Sequence, residues 1–134
     1  MPDDPLAAET VEAVEAVDLS VPTSPELVRL ARVTASGLAS RLGFTYEEVE
    51  DLRLAIDELC YALVGNGQVG GTLHLHYAIL SEALEIEGSA ELGPDGGGRS
   101  PHLSELSERI LGALVDEHSL DVAGLRFRLL KRRV

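Results

Sequence analysis

His74 and His76 are one residue apart, and Glu85 and Glu87 repeat that spacing further along. On two paired strands each doublet points to one side of a sheet, so a hairpin turning through Leu80 to Ala83 sets imidazoles against carboxylates. The donors are of the right type for a divalent metal, but the same pattern describes the solvated face of a sheet, and no metal is expected. Cys60 is the only cysteine, which excludes an internal disulfide. Its neighbours Leu59 and Leu63 put it on an apolar helix face, where a packed thiol is expected rather than a nucleophile. Gly93-Pro94-Asp95-Gly96-Gly97-Gly98-Arg99-Ser100 can bare backbone N–H groups to phosphate. It lacks both the Lys-Ser/Thr ending of a P-loop and the G-x-G-x-x-G spacing, so it reads as a flexible connector.

The elements that must position these residues follow from periodicity. Ala16 to Val21 alternates apolar and polar residues and stops at Pro22, which predicts a short edge strand. Ser24, Pro25 and Glu26 form a helix start, with a hydroxyl at the cap, proline at the first position and an acid at the positive end. Leu27, Leu30, Ala31, Thr34 and Leu38 give that helix a face to bury, and Gly43 ends it. Thr45 and Glu48 make a capping box for a second helix, striped by Val49, Leu52, Ile56, Leu59, Cys60 and Leu63 and closed by Gly65-Asn66-Gly67. From Thr72 to Ile79 the period becomes two, and Leu84 and Ile86 continue it across a hairpin. Leu103, Leu106, Ile110 and Leu114 stripe a third helix ending near Glu117, and Leu125, Phe127 and Leu129 mark a last strand. The order is strand, two helices, hairpin, helix, strand. It predicts an α/β (α+β) two-layer sandwich, with three helices on one face of a largely antiparallel four-stranded sheet.

A chain of 134 residues with 45% apolar and 25% charged residues is the size and make-up of one folded domain. Residues 1–16, Ala- and Glu-rich with early prolines, read as an acidic arm, and 17–134 as the domain. The formal charge of −12 repels a phosphate backbone and excludes nucleic acid as a partner, while a basic protein surface suits it. Seven acids precede Arg29, and five basic residues crowd the last nine positions, so the two ends can attract each other. No apolar run is long enough for a membrane span or a signal-peptide core, which predicts a cytoplasmic protein without a membrane partner.

Three segments carry a family resemblance. Leu30-Ala31-Arg32-Val33-Thr34, Tyr46 to Cys60 with its Ile56-Asp57-Glu58-Leu59 centre, and Leu111 to Glu117 followed by Gly124 and Lys131 resemble the anti-sigma factor serine-protein kinases of the RsbW type, relatives of histidine-kinase ATPase domains. The resemblance implies that Arg32 helps dock a sigma factor or its antagonist. It places the family's acid/base glutamate at Glu58. The family's Mg²⁺-binding asparagine, four residues on, falls on Ala62, and a methyl group cannot ligate a hard cation. The aspartate that accepts the adenine amino group falls on Ala90, and the first glycine of that motif on Leu92. The glycine-containing entry to the last helix reads Ser100-Pro101-His102-Leu103.

The expectation is therefore an anti-sigma-type regulator that binds a sigma factor or its antagonist, forms a homodimer as the family commonly does, and has lost or weakened its ATP binding. The alternative is an active ATP-dependent serine kinase of an antagonist protein. It would use Glu58 as acid/base and Asn66 or Asp95 as unorthodox contacts to Mg-ATP.

Overall fold

The structure, a computed structural model, describes residues 15–65, 70–93 and 102–134. The acidic arm therefore lies outside the described residues, apart from Glu15 and Ala16, which open the first strand, β1 (Glu15–Pro22). Val21 is the only fully buried side chain of β1; Asp18 and Ser20 face solvent.

Helix α1 (Pro25–Arg41) begins with proline at its first turn, as read from the sequence, but the Ser24 hydroxyl makes no capping bond. The N–H groups of Leu27 and Val28 bond instead to the Ser24 carbonyl, at 3.0 and 2.9 Å. The buried face also differs from the expected one. Ala31, Ala35 and Ala39 are wholly buried at i, i+4 and i+8, while Leu27 and Leu30 are 38% and 41% exposed. Of the expected face, Ala31 is in the core and Leu38 packs against it, while Leu27 and Leu30 are left on the outside.

Helix α2 (Tyr46–Val64) has the complete capping box, with the Thr45 hydroxyl accepting from Glu48 N and the Glu48 carboxylate accepting from Thr45 N. Its expected stripe is the buried one: Leu52, Ile56, Leu59, Cys60 and Leu63 all lie in the core, with Val49 packed against it. Gly65 closes it at φ +62.

Strands β2 (Gly71–Ile79) and β3 (Ala83–Leu92) form the expected hairpin. Their register corrects the histidine reading. His76 faces Glu87, but His74 faces Ser89 and Glu85 faces Ala78, so the two doublets do not meet as a four-residue cluster. Helix α3 (Glu105–Leu114) ends at Leu114, earlier than expected near Glu117. Val115 is extended, and β4 (Glu117–Asp121) hairpins onto β5 (Arg126–Arg132).

The sheet thus has five strands, one more than expected, in the order β1-β2-β3-β5-β4 and antiparallel throughout. Leu73, Leu75 and Tyr77 of β2, Leu84 and Ile86 of β3, and Phe127 and Leu129 of β5 share one core cluster with the buried faces of α1 and α2. The Tyr77 hydroxyl donates to the Ala31 carbonyl at 2.9 Å, fixing α1 to the sheet from inside the core. The architecture is the predicted α+β sandwich. Among the described residues no helix is long and apolar enough to cross a membrane.

Candidate functional site

Successive residues on a helix point about 100° apart, so neighbouring acids can reach different elements. Helix α2 uses this repeatedly. Glu48 accepts from Thr45 N at 2.8 Å and from Val134 N at 2.9 Å, binding the carboxy-terminal residue to the start of the helix. The Thr45 N–H is the main reason the Glu48 carboxyl is held below its ordinary value, against the opposing effect of burial. Asp51 lies 3.9 Å from the Lys131 ammonium of β5. Asp57 grips Arg32 of α1 at 3.0 Å, and Glu58 accepts from the Ser107 hydroxyl of α3 at 2.9 Å.

The last two contacts border a cavity of about 520 Å³ between the start of α1 and the end of α2. Arg32, Arg29, Asp57 and Glu58 supply its charge, and Val28, Tyr61 and Val64 its apolar lining. The Arg32 Nη1 donates to Asp57, while its Nε is buried with no hydrogen-bond partner.

The structure thus brings Arg32 and Glu58 into one site. Ala62 lies in the last turn of α2, 6% exposed. Ala90, 8% exposed, belongs to the core cluster, and its backbone N–H donates to the Leu125 carbonyl at 3.0 Å. Leu92 packs against the core opposite Gly71. Asn66 and Asp95 fall outside the described residues.

Cys60 is buried, and burial, with the nearby Asp57 charge adding to it, pushes its thiol up to about 12, which leaves it protonated and unreactive at neutral pH. His74 contacts Ser20 at 2.7 Å and Glu91 at 3.0 Å, and His76 contacts Asp18 at 2.6 Å, so both tie β2 to its neighbouring strands. Among the described residues no group of three or more His, Cys, Asp or Glu side chains is placed to hold a metal ion.

Sequence reasoning missed the partners: Asp57 for Arg32 and Ser107 for Glu58. Asp57 stands next to Glu58 inside the motif that carries the resemblance, so its place was visible though its role was not. Ser107 is 49 residues from Glu58, and no local signal links them.

No family model matches the chain. Among curated relatives it is similar to the serine-protein kinase RsbW of Bacillus subtilis (strain 168), 32% identical over 120 residues that cover 78% of this chain and 74% of the relative. The serine-protein kinase RsbW of Bacillus pumilus is 36% identical over 80 residues, 56% of this chain and 49% of the relative. That of Listeria monocytogenes serovar 1/2a is 38% identical over 73 residues, 52% of this chain and 46% of the relative. The chain spans about half the length of several of the relatives it matches, 49% and 48% for those of Bacillus pumilus and Halalkalibacterium halodurans.

Proposed function

The chain belongs to the RsbW family of serine-protein kinases, and from that premise we propose that it is an anti-sigma-type regulator that works by gripping a sigma factor or that factor's antagonist, with nucleotide binding lost or weak. The observation that carries this reading is the state of Arg32. Its side chain lines a cavity between two helices and, though held by Asp57, is 28% exposed, so a carboxylate from another polypeptide can meet it there.

The two helices that border the cavity support the same reading. Among the described residues nine large apolar side chains are exposed, and six of them lie on α1 or α2: Leu27, Leu30, Val33, Tyr46, Leu54 and Tyr61. Exposed apolar side chains gathered on one pair of helices, with charged residues beside them, have the composition of a protein-binding surface.

The side chains at the family's nucleotide positions do not fit a magnesium nucleotide. Ala62 offers no oxygen to a hard cation, Ala90 offers no acceptor to an adenine amino group, and Leu92 fills space where a glycine would let a ligand approach. A second reading, an active serine kinase of an antagonist protein, is favoured by the relatives' name and by the presence of Glu58 in the cavity.

The docking reading is tested with purified candidate sigma factors and antagonists from the same organism, each titrated against the chain and against Arg32→Glu. One of them is expected to bind, and the substitution to weaken it by about 2–5 kcal/mol when both chains are compared at a temperature where each is fully folded. Equal affinity for every candidate with and without Arg32 would remove the proposed site.

A further inference from the structure

The residue that the family resemblance casts as acid/base is already engaged in holding the fold together. We propose that Glu58 is a positioning residue: its carboxylate, through Ser107, clasps the first turn of α3 to α2 beside the Arg32 cavity.

Helix α3 needs such a clasp. Leu111 is its only fully buried side chain, Leu106 is 67% exposed, and the other apolar contacts with the core come from Leu114 and from Val115 and Leu103 just beyond its ends, so its first turn has little apolar packing of its own. Polar contacts hold the rest. At its carboxy-terminal end the Lys131 ammonium donates to the Leu114 carbonyl at 2.7 Å, satisfying a group that the end of a helix leaves unpaired. In its middle Glu108 meets His118 of β4 at 2.6 Å. At its amino-terminal end the contact across to α2 is Ser107 with Glu58.

The hydrogen bonds at that end run in one direction. The Ser104 hydroxyl donates to the Ser107 hydroxyl at 3.0 Å, and the Ser107 hydroxyl donates to Glu58 Oε2. The Ser104 oxygen meanwhile accepts from Ser107 N and so caps the helix. A carboxylate at the end of this chain accepts more strongly than a neutral oxygen and orients both hydroxyls. Asp57, one residue earlier, pulls Arg32 the other way, so positions 57 and 58 of α2 hold α1 and α3 at once. The clasp is independent of which partner enters the cavity.

Hydrogen exchange of the α3 amides in the full chain tests this without partner or nucleotide. Glu58→Ala and Ser107→Ala are each expected to speed exchange across Glu105–Leu114 by about tenfold, with α1 unchanged. The double variant is expected to exchange no faster than either single one, because both remove the same bond. Glu58→Gln keeps a side-chain carbonyl that can accept from Ser107 but loses the charge that strengthens the bond, and is expected to exchange at a rate between those of the parent chain and Glu58→Ala. Parental exchange in Ser107→Ala would overturn the clasp, as would effects that multiply in the double variant. A Glu58→Gln chain as loose as Glu58→Ala would also overturn it, since a retained acceptor opposite Ser107 would then contribute nothing to holding α3.

Discussion

Glu48 shows how much one buried acid on α2 is asked to do. Its two oxygens accept from backbone N–H groups far apart in sequence, Thr45 on one side and Val134, 86 residues beyond Glu48, on the other. Those bonds favour the ionised form, so the folded carboxyl has a lower pKa than the unfolded one, whose reference value is 4.5. As pH falls the unfolded chain takes the proton first. The stabilisation from Glu48 is therefore complete above the unfolded value and is lost as pH drops through the folded one. The difference in urea midpoint between the parent chain and Glu48→Gln is expected to be constant above about pH 6 and to shrink below about pH 4.5. A difference that persists unchanged into strong acid would show that the carboxyl is not held down by these contacts.

At the scale of elements, the turn before β2 rests on a glycine that cannot be replaced. Gly71 has φ +124, and a Cβ there would stand 2.2 Å from the Glu91 carbonyl oxygen and 2.8 Å from the Leu92 Cα. Both are backbone atoms of the paired strand, which has no free rotor to move aside. Gly71→Ala is expected to destabilise the chain by more than about 1 kcal/mol in urea unfolding, whereas Gly37→Ala, with open space around its Cβ, is expected to be neutral or stabilising. Gly71 passed unremarked in the sequence because its need arises from a strand some twenty residues away. The same divide runs through the other elements. The α2 capping box was legible because both partners lie within four residues, and the β2 alternation because one face is apolar throughout. On α1 the expected face was right at Ala31 and Leu38 but not at Leu27 and Leu30, since close approach to its neighbours favoured the alanines at 31, 35 and 39. Strand β4 was hidden because Glu-His-Ser-Leu-Asp carries a single apolar residue, and its pairing with β5 is what makes it a strand.

For the molecule as a whole, the sequence disclosed the two-layer sandwich and the family, while the cavity that joins Arg32 to Glu58 exists only once α1 crosses α2. A net charge of −12 adds a long-range preference for a basic partner and against a nucleic acid. What distinguishes a gripping regulator from a kinase is whether the native state also binds nucleotide, and this can be read without knowing the partner. A ligand that binds only the folded chain, present at a hundred times its dissociation constant, adds about 2.7 kcal/mol, or about 10 °C for a domain of this size. With alanine at positions 62 and 90 and leucine at 92, no such linkage is expected: melting curves in millimolar Mg-ATP should superimpose on those in magnesium alone to within about 1 °C. A magnesium-dependent rise of several degrees would instead favour the kinase. Repeating the melt on Glu58→Gln would then show whether Glu58 contacts the nucleotide as well as Ser107, because a contact that needs its charge would lose the rise while an acceptor for Ser107 remained.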